Sequence, residues 1–249
     1  METRESPGIL NANKLKMIAV AVMFFDHFVT VFFPHNVLIN LVFRLLGRTA
    51  APVFCFFVAE GFRHTSNFKK YFTRLFVFAV VSHLPYNLAF GYTFFQATSV
   101  IWPLAMGLLA LAGIKSDKIH FLLKPVILAL CCVVSYTANW NYIAVLWVVG
   151  FGIFYGDFKR QIAAFCTIGT AYLFIQPFRR PGFFNEPNPQ WFQLGIFLVI
   201  PLLMMYNGKP GKKSKVFVWF FYVFYPAHLI FLFLLNNFTP LREVLGRFL

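Results

Sequence analysis

The sequence predicts an all-α fold, a polytopic integral membrane bundle of about nine transmembrane helices with its N-terminus in the cytoplasm. Three observations carry that expectation. The 249 residues are 59% hydrophobic and 12% charged, about half the charged share of a soluble globular chain, so a fully hydrated surface could not be covered. Forty residues between Arg74 and Lys115, 32 from Pro125 to Gly156 and 26 from Val216 to Leu241 contain no Asp, Glu, Lys or Arg. Each stretch exceeds the ~20 residues that cross a hydrocarbon core. The third observation is where the net charge of +14 sits. A basic chain attracts polyanions, nucleic acid included, but here the cations are sorted by side, and nucleic acid is not an expected partner.

Charged and Pro/Gly/Asn-rich breaks divide the chain into spans near 15–34, 49–62, 71–90, 96–114, 120–137, 142–156, 161–176, 190–206 and 216–236. Threading them from a cytoplasmic N-terminus puts 16 Lys and Arg on inner segments and six outside, the six being Arg44, Arg48, Arg179, Arg180, Arg242 and Arg247. That bias is the one that orients helices in a bilayer, and with nine spans the C-terminus is expected outside. Residues 37–46 and 239–249 read as short amphipathic helices at the outer interface. The whole of 1–249 is taken as one domain. No signal peptide is visible, because the first span lacks a small-residue cleavage site and carries its own ionisable pair. The four cysteines, Cys55, Cys131, Cys132 and Cys166, all fall inside spans and read as small packing residues. Neither their spacing nor any His/Asp cluster argues for a metal. No Walker loop, dinucleotide fingerprint or internal repeat is present.

Ionisable groups inside spans are costly in hydrocarbon and mark function. They are Asp26, His27, Glu60, His83 and His228, with Arg48 at an outer span end. Counting from the nearest inner cation at 1.5 Å per residue places His27, His83 and His228 roughly 16, 14 and 20 Å deep, one band near the membrane centre. Asp26 and His27 are neighbours, so they point about 100° apart on a helix and must reach different partners. Arg48 is the expected partner of Asp26, since an intramembrane carboxylate needs a cation. Lys16 and His27 are eleven apart and return to one helix face within about 20°. A line thus runs from the cytoplasmic mouth to mid-membrane, along which an anion held at Lys16 could send a long arm to His27. Glu60, three residues before Arg63, is expected to pair within the basic loop from Arg63 to Arg74.

The motifs Leu15-Lys16-Met17-Ile18-Ala19, Met23-Phe24-Phe25-Asp26-His27, the block from Gly47 to Phe54, Glu60-Gly61-Phe62-Arg63-His64-Thr65, Asn67 to Tyr71, Arg74-Leu75, Tyr206-Asn207-Gly208-Lys209 and Tyr225-Pro226-Ala227-His228 stand in this order along the chain. Together they resemble the TraX family of pilin acetyltransferases. They occur in the family's order with spacing kept. Residues 97–190 match mainly in hydropathy, and Asn141 and Ala144 stand where the family carries glycines. The family is similar in turn to a larger group of multi-span acyltransferases that use acyl-coenzyme A and carry an arginine, ten intervening residues and a histidine in the first span. Lys16 replaces that arginine here, a point charge in place of a planar fork.

The resemblance implies a bacterial inner-membrane acyltransferase, acetyl-CoA as donor, and the N-terminus of a membrane-inserted pilin subunit as acceptor. Acyl transfer needs a base for the acceptor's proton and donors for the oxyanion. His27 suits the base. Asp26 or His83 could fix its tautomer, and Arg48 could offset developing charge. Lys16, Glu60, His64, Tyr71, Arg74 and Lys209 are the candidate coenzyme-binding residues, Tyr225 and His228 the candidates for contact with substrate. No Ser or Cys nucleophile motif is evident, which favours direct transfer. Three other readings stay open: an O-acyltransferase acting on a surface glycan or lipid, a proton-coupled transporter relaying through Asp26, His27, His83 and His228, and a noncatalytic assembly factor for a surface fibre.

Overall fold

A computed structural model describes residues 8–33, 37–179, 190–212 and 214–238. Among these the chain is all-α, without a β-strand. The elements are α1 Ala12–Phe32, α2 Val37–Gly47, α3 Ala50–His64, α4 Phe68–Val81, α5 His83–Phe90, α6 Ile101–Lys115, α7 Leu123–Val134, α8 Asn141–Ile153, α9 Phe158–Arg179, a 3-10 helix Gln190–Leu198, α10 Val199–Met204 and α11 Lys215–Phe238.

The local chemistry explains the boundaries. Asn11 caps α1 by accepting from the Lys14 amide at 3.0 Å, and Asn67 caps α4 in the same way from Lys70 at 2.9 Å, the role in which Asn is favoured over apolar residues. The residues before α1 are held by main-chain bonds to the segment after α10: Leu10 N–H donates to Met205, Asn207 N–H to Leu10 and Ala12 N–H to Lys209, each at 2.9 Å. Gly91 closes α5 in the left-handed region at φ 69°, where glycine pays no Cβ penalty.

The core sits on α3, α6 and α8. Phe56, Leu108, Leu111, Trp147 and Phe151 are fully buried there, and the Trp147 indole donates to the Phe165 carbonyl of α9 at 3.3 Å. Small residues set the helix spacing. A Cβ on Gly152 would meet Leu111 Cδ2 at 2.3 Å, so α6 and α8 approach more closely than larger side chains allow. On α7, by contrast, Val126, Leu130 and Val133 are exposed, an apolar face that no other described element covers. All four cysteines are free, Cys55 and Cys131 buried and the other two partly so.

Among the described residues, three stretches are long and apolar enough to cross a membrane: Ala12–Phe32, Val37–His64 and Lys215–Phe238. The other apolar helices are shorter. The expected amphipathic helix over 37–46 is present as α2. The span expected over 71–90 is broken at Ser82, between α4 and α5. The span expected from 96 begins only at Ile101, because the preceding loop turns back and joins Thr98 to the Asn139 amide at 2.8 Å. The stretch 190–206 opens as a 3-10 helix of nine residues, long for that geometry. The expected helix over 239–249 lies outside the described residues, as do Arg4, Arg180, Lys213, Arg242 and Arg247.

Candidate active site

Asp26 and His27 leave α1 in different directions, as the helical angle requires. His27 faces α11. Its Nδ1 lies 2.9 Å from His228 Nε2, with the two rings 9° from parallel and their centroids 5.2 Å apart. His228 Nδ1 in turn lies 2.9 Å from the Phe224 carbonyl, one turn back on α11. Pro226, between them in sequence, removes an amide from the helix ladder there. Aromatic rings enclose the pair. Phe90 meets His27 edge-on at 5.2 Å, Phe224 stacks on His228 at 4.9 Å, and Tyr225 lies edge-on to both, at 6.3 and 5.3 Å.

Asp26 faces α2. Arg48 Nη2 donates to its Oδ2 at 2.8 Å, with the two side chains 14% and 6% exposed, so this is a buried ion pair. Arg44 Nε approaches Oδ1 at 3.9 Å. Phe192 of the 3-10 helix stacks under both guanidiniums, at 3.9 and 5.4 Å, and Trp140 covers Arg48 at 4.9 Å. Trp140 holds φ 64° and Asn141 φ 28°. The first is a backbone conformation that bulky residues rarely take, in the short turn that delivers the indole to Arg48.

A cavity of about 770 Å³, in the range of small-molecule sites, opens beside these groups. Its mouth carries the exposed His64, Lys70, Lys212 and Lys215, with Lys16 and Arg74 half-buried behind them, and apolar residues such as Val20, Met23, Phe54, Phe57, Leu104 and Phe221 complete the lining. Lys16 is held over the rings of Phe57 and Phe221 at 4.9 and 5.6 Å. Arg74 lies over Tyr222 at 4.9 Å. Tyr225 belongs to the cavity wall and also touches both histidines. It is the one ring shared by the cavity and the His27–His228 pair among the described residues, and its hydroxyl is buried beside the Val100 backbone.

The TraX protein family model matches residues 11–236. The chain belongs to the TraX family. A probable fimbrial assembly protein FimC, serogroup H1, of Dichelobacter nodosus is 27% identical over 233 residues, covering 89% of this chain and 94% of that protein. No solved structure matches the chain.

This TraX chain brings some of the sequence-derived candidates together and separates others. Lys16, His64, Tyr71, Arg74 and Tyr225 all line the cavity. Glu60 sits behind the mouth, 3.7 Å from His64 Nε2, within the basic segment where it was expected. Lys209 is used through its backbone, accepting from Ala12, and the mouth takes Lys212 and Lys215 instead. His83 stands apart from His27. Its Nδ1 lies 3.1 Å from Thr98 Oγ1 and its Nε2 donates to the Phe94 carbonyl at 2.8 Å, which also accepts from the neighbouring Asn87 Nδ2 at 3.3 Å, a cluster that includes the loop folded back after α5. Counting helical rise could not reveal that loop. Neither Asp26 nor His83 therefore reaches the His27 ring; His228 does. Sequence reasoning missed Arg44, Trp140 and Phe192. Arg44 lies one helical turn before Arg48, which is the signal that could have found it.

Proposed function

We propose that the protein is a multi-pass inner-membrane acyltransferase that takes acetyl-CoA from the cytoplasm and transfers the acetyl group to the N-terminus of a membrane-inserted pilin-like subunit. The observation that carries this is the cavity, whose lining joins six basic side chains to an apolar wall that includes Tyr225, the ring beside the His27–His228 pair. Membership of the TraX family and likeness to a probable fimbrial assembly protein support a pilin-related role. The exposed apolar face of α7 and the three long apolar stretches suit a lipid environment.

The lining suits an acyl-coenzyme A. Lys16, Lys70, Arg74, Lys212 and Lys215 would hold the phosphates through charge-assisted hydrogen bonds, and the apolar wall would take the pantetheine arm. His27 removes the proton from the acceptor amine as its nitrogen attacks the thioester carbonyl. The new C–N bond forms, the C–S bond breaks, and the coenzyme leaves as a thiol carrying the proton that His27 returns. In this reading the Tyr225 hydroxyl, buried in the cavity wall, donates to the carbonyl oxygen as charge develops. Asp26 and Arg48 fix α1 against α2 and hold the His27 backbone in register.

The test is thiol release by the purified full chain in lipid nanodiscs, given acetyl-CoA and membranes from a strain lacking the gene. Saturable release that requires those membranes, and disappears in His27→Ala, is the expected result. Release that is unchanged in His27→Ala, or none above the protein-free rate, would overturn the proposal. Loss of release after protease treatment of the membranes assigns a protein acceptor; persistence assigns a glycan or lipid.

A further inference from the structure

The histidine pair has a direction, and hydrogen-bond bookkeeping gives it. A carbonyl oxygen only accepts, so the 2.9 Å contact between His228 Nδ1 and the Phe224 carbonyl requires a proton on Nδ1. In a neutral imidazole the other nitrogen then carries a lone pair. His228 Nε2 is therefore the acceptor in its 2.9 Å contact with His27, and His27 Nδ1 must bear the proton. It follows that Nε2 of His27 is the bare, basic nitrogen.

His228 stays neutral for a structural reason. Phe24, Phe224 and Tyr225 surround it, and a buried cation there would need a carboxylate. The nearby carboxylate, Asp26, already serves Arg48 and, at longer range, Arg44. Among the described residues no other group competes for His27 Nδ1. Asp26 is committed to α2, His83 to Thr98, Phe94 and Asn87, and Tyr225 presents its ring to His27 at 6.3 Å.

We infer that His228 is the positioning residue of the site, holding His27 as the Nδ1–H tautomer so that Nε2 is the atom that takes the acceptor's proton. The inference rests on the reading of His27 as the base. It replaces the expectation that Asp26 or His83 sets the tautomer and that His228 meets substrate. The arrangement matches the general logic of a base oriented by a third group, with an imidazole nitrogen where a carboxylate more often stands.

Nitrogen-15 solid-state NMR of the histidine-labelled full chain in lipid tests it, with the His27 signals assigned by their loss in His27→Gln. At neutral pH, His27 should show a protonated Nδ1 and a bare Nε2. His228→Gln keeps an acceptor near the same place and should preserve that pattern, with kcat within about 10-fold of wild type. His228→Ala should shift His27 toward the Nε2–H form and lower kcat by roughly 10²–10³-fold, the share typical of acid–base catalysis, with KM for acetyl-CoA changed less than about 3-fold because no ground-state contact is lost. A bare Nδ1 on His27 in the wild type, or a His27 tautomer unaffected by His228→Ala, would overturn the inference. Should His228→Ala fail to fold, the wild-type and His228→Gln spectra decide alone. The spectrum needs no turnover. The Nδ1–H form in a protein that transfers nothing supports the role of His228 and counts against acyl transfer, whereas full transfer with an Nε2–H His27 overturns the role of His228 alone.

Discussion

Gly47 stands so close to Asp26 that a Cβ added to it would lie 2.3 Å from the Asp26 Cβ. On the other side of the same helix, a Cβ on Gly195 would lie 1.9 Å from the Leu45 carbonyl oxygen. Two glycines thus let α2 wedge between α1 and the 3-10 helix, and α2 with the turn after it carries the arginines that meet Asp26. Gly47→Ala should cost about 1–3 kcal/mol, the usual penalty for overpacking. Gly150→Ala provides the contrast, because its Cβ would make ordinary contact with Ala164 at 3.5 Å; it should be neutral or mildly stabilising. Thermal unfolding in detergent, read by tryptophan fluorescence, checks the pair.

The ion pair itself makes an ordered prediction. Removing one partner of a buried pair leaves an uncompensated charge, a loss of roughly 3–5 kcal/mol. Asp26→Ala leaves the buried Arg48 guanidinium without its carboxylate, whereas Arg48→Ala leaves Asp26 near Arg44. Asp26→Ala should therefore destabilise more than Arg48→Ala, and the double variant should lose less than the sum of the two. Additive losses in a double-mutant cycle would show that the pair is not coupled.

How much of this was legible in the sequence depends on whether a contact follows helical arithmetic. The Asp26–Arg48 pair was readable because a carboxylate at a helix centre needs a cation and Arg48 stands at the end of the next span. The meeting of His27 and His228 was half readable: equal depth brought them to one level, but which faces α1 and α11 present to each other is a matter of packing. Depth alone could not tell that His83 turns instead to Thr98, Phe94 and Asn87, because the loop that supplies two of these partners leaves no mark in a count of helical rise. The Tyr206-Asn207-Gly208-Lys209 motif gave no hint that its main chain docks the start of α1, because backbone pairing leaves no side-chain signature. Trp140 over Arg48 depends on a left-handed φ at a bulky residue, which no propensity scale favours.

The mouth of the cavity predicts a split in donor kinetics. If Lys16 holds a coenzyme phosphate, Lys16→Ala loses a charged hydrogen bond of about 1–3 kcal/mol, or roughly 5- to 150-fold in KM for acetyl-CoA, with kcat less affected. A truncated donor lacking the phosphates should show no such loss. Lys16→Arg should keep or improve KM, because a guanidinium grips phosphate bidentately. Equal losses for full-length and truncated donors would point to a displaced α1.

Orientation in the membrane follows from the 16-to-six division of cations. A reporter inserted at Gly211, beside the basic mouth, should behave as cytoplasmic, and one fused after Leu249 as external. An internal C-terminus would mean an even number of crossings and would remove one expected span from the membrane, 142–156 or 161–176 first.

Acetyl transfer to a pilin-like subunit is tested most directly by intact-mass spectrometry of small membrane and surface proteins from cells expressing the wild-type gene, the His27→Ala gene or neither. One small pilin-like protein should be heavier by a single acetyl group at its N-terminus in wild-type cells only, with the His27→Ala protein present in the membrane at normal yield. The same acetylated mass in His27→Ala cells, or no acetyl-dependent mass difference between wild-type and deletion cells, would contradict it.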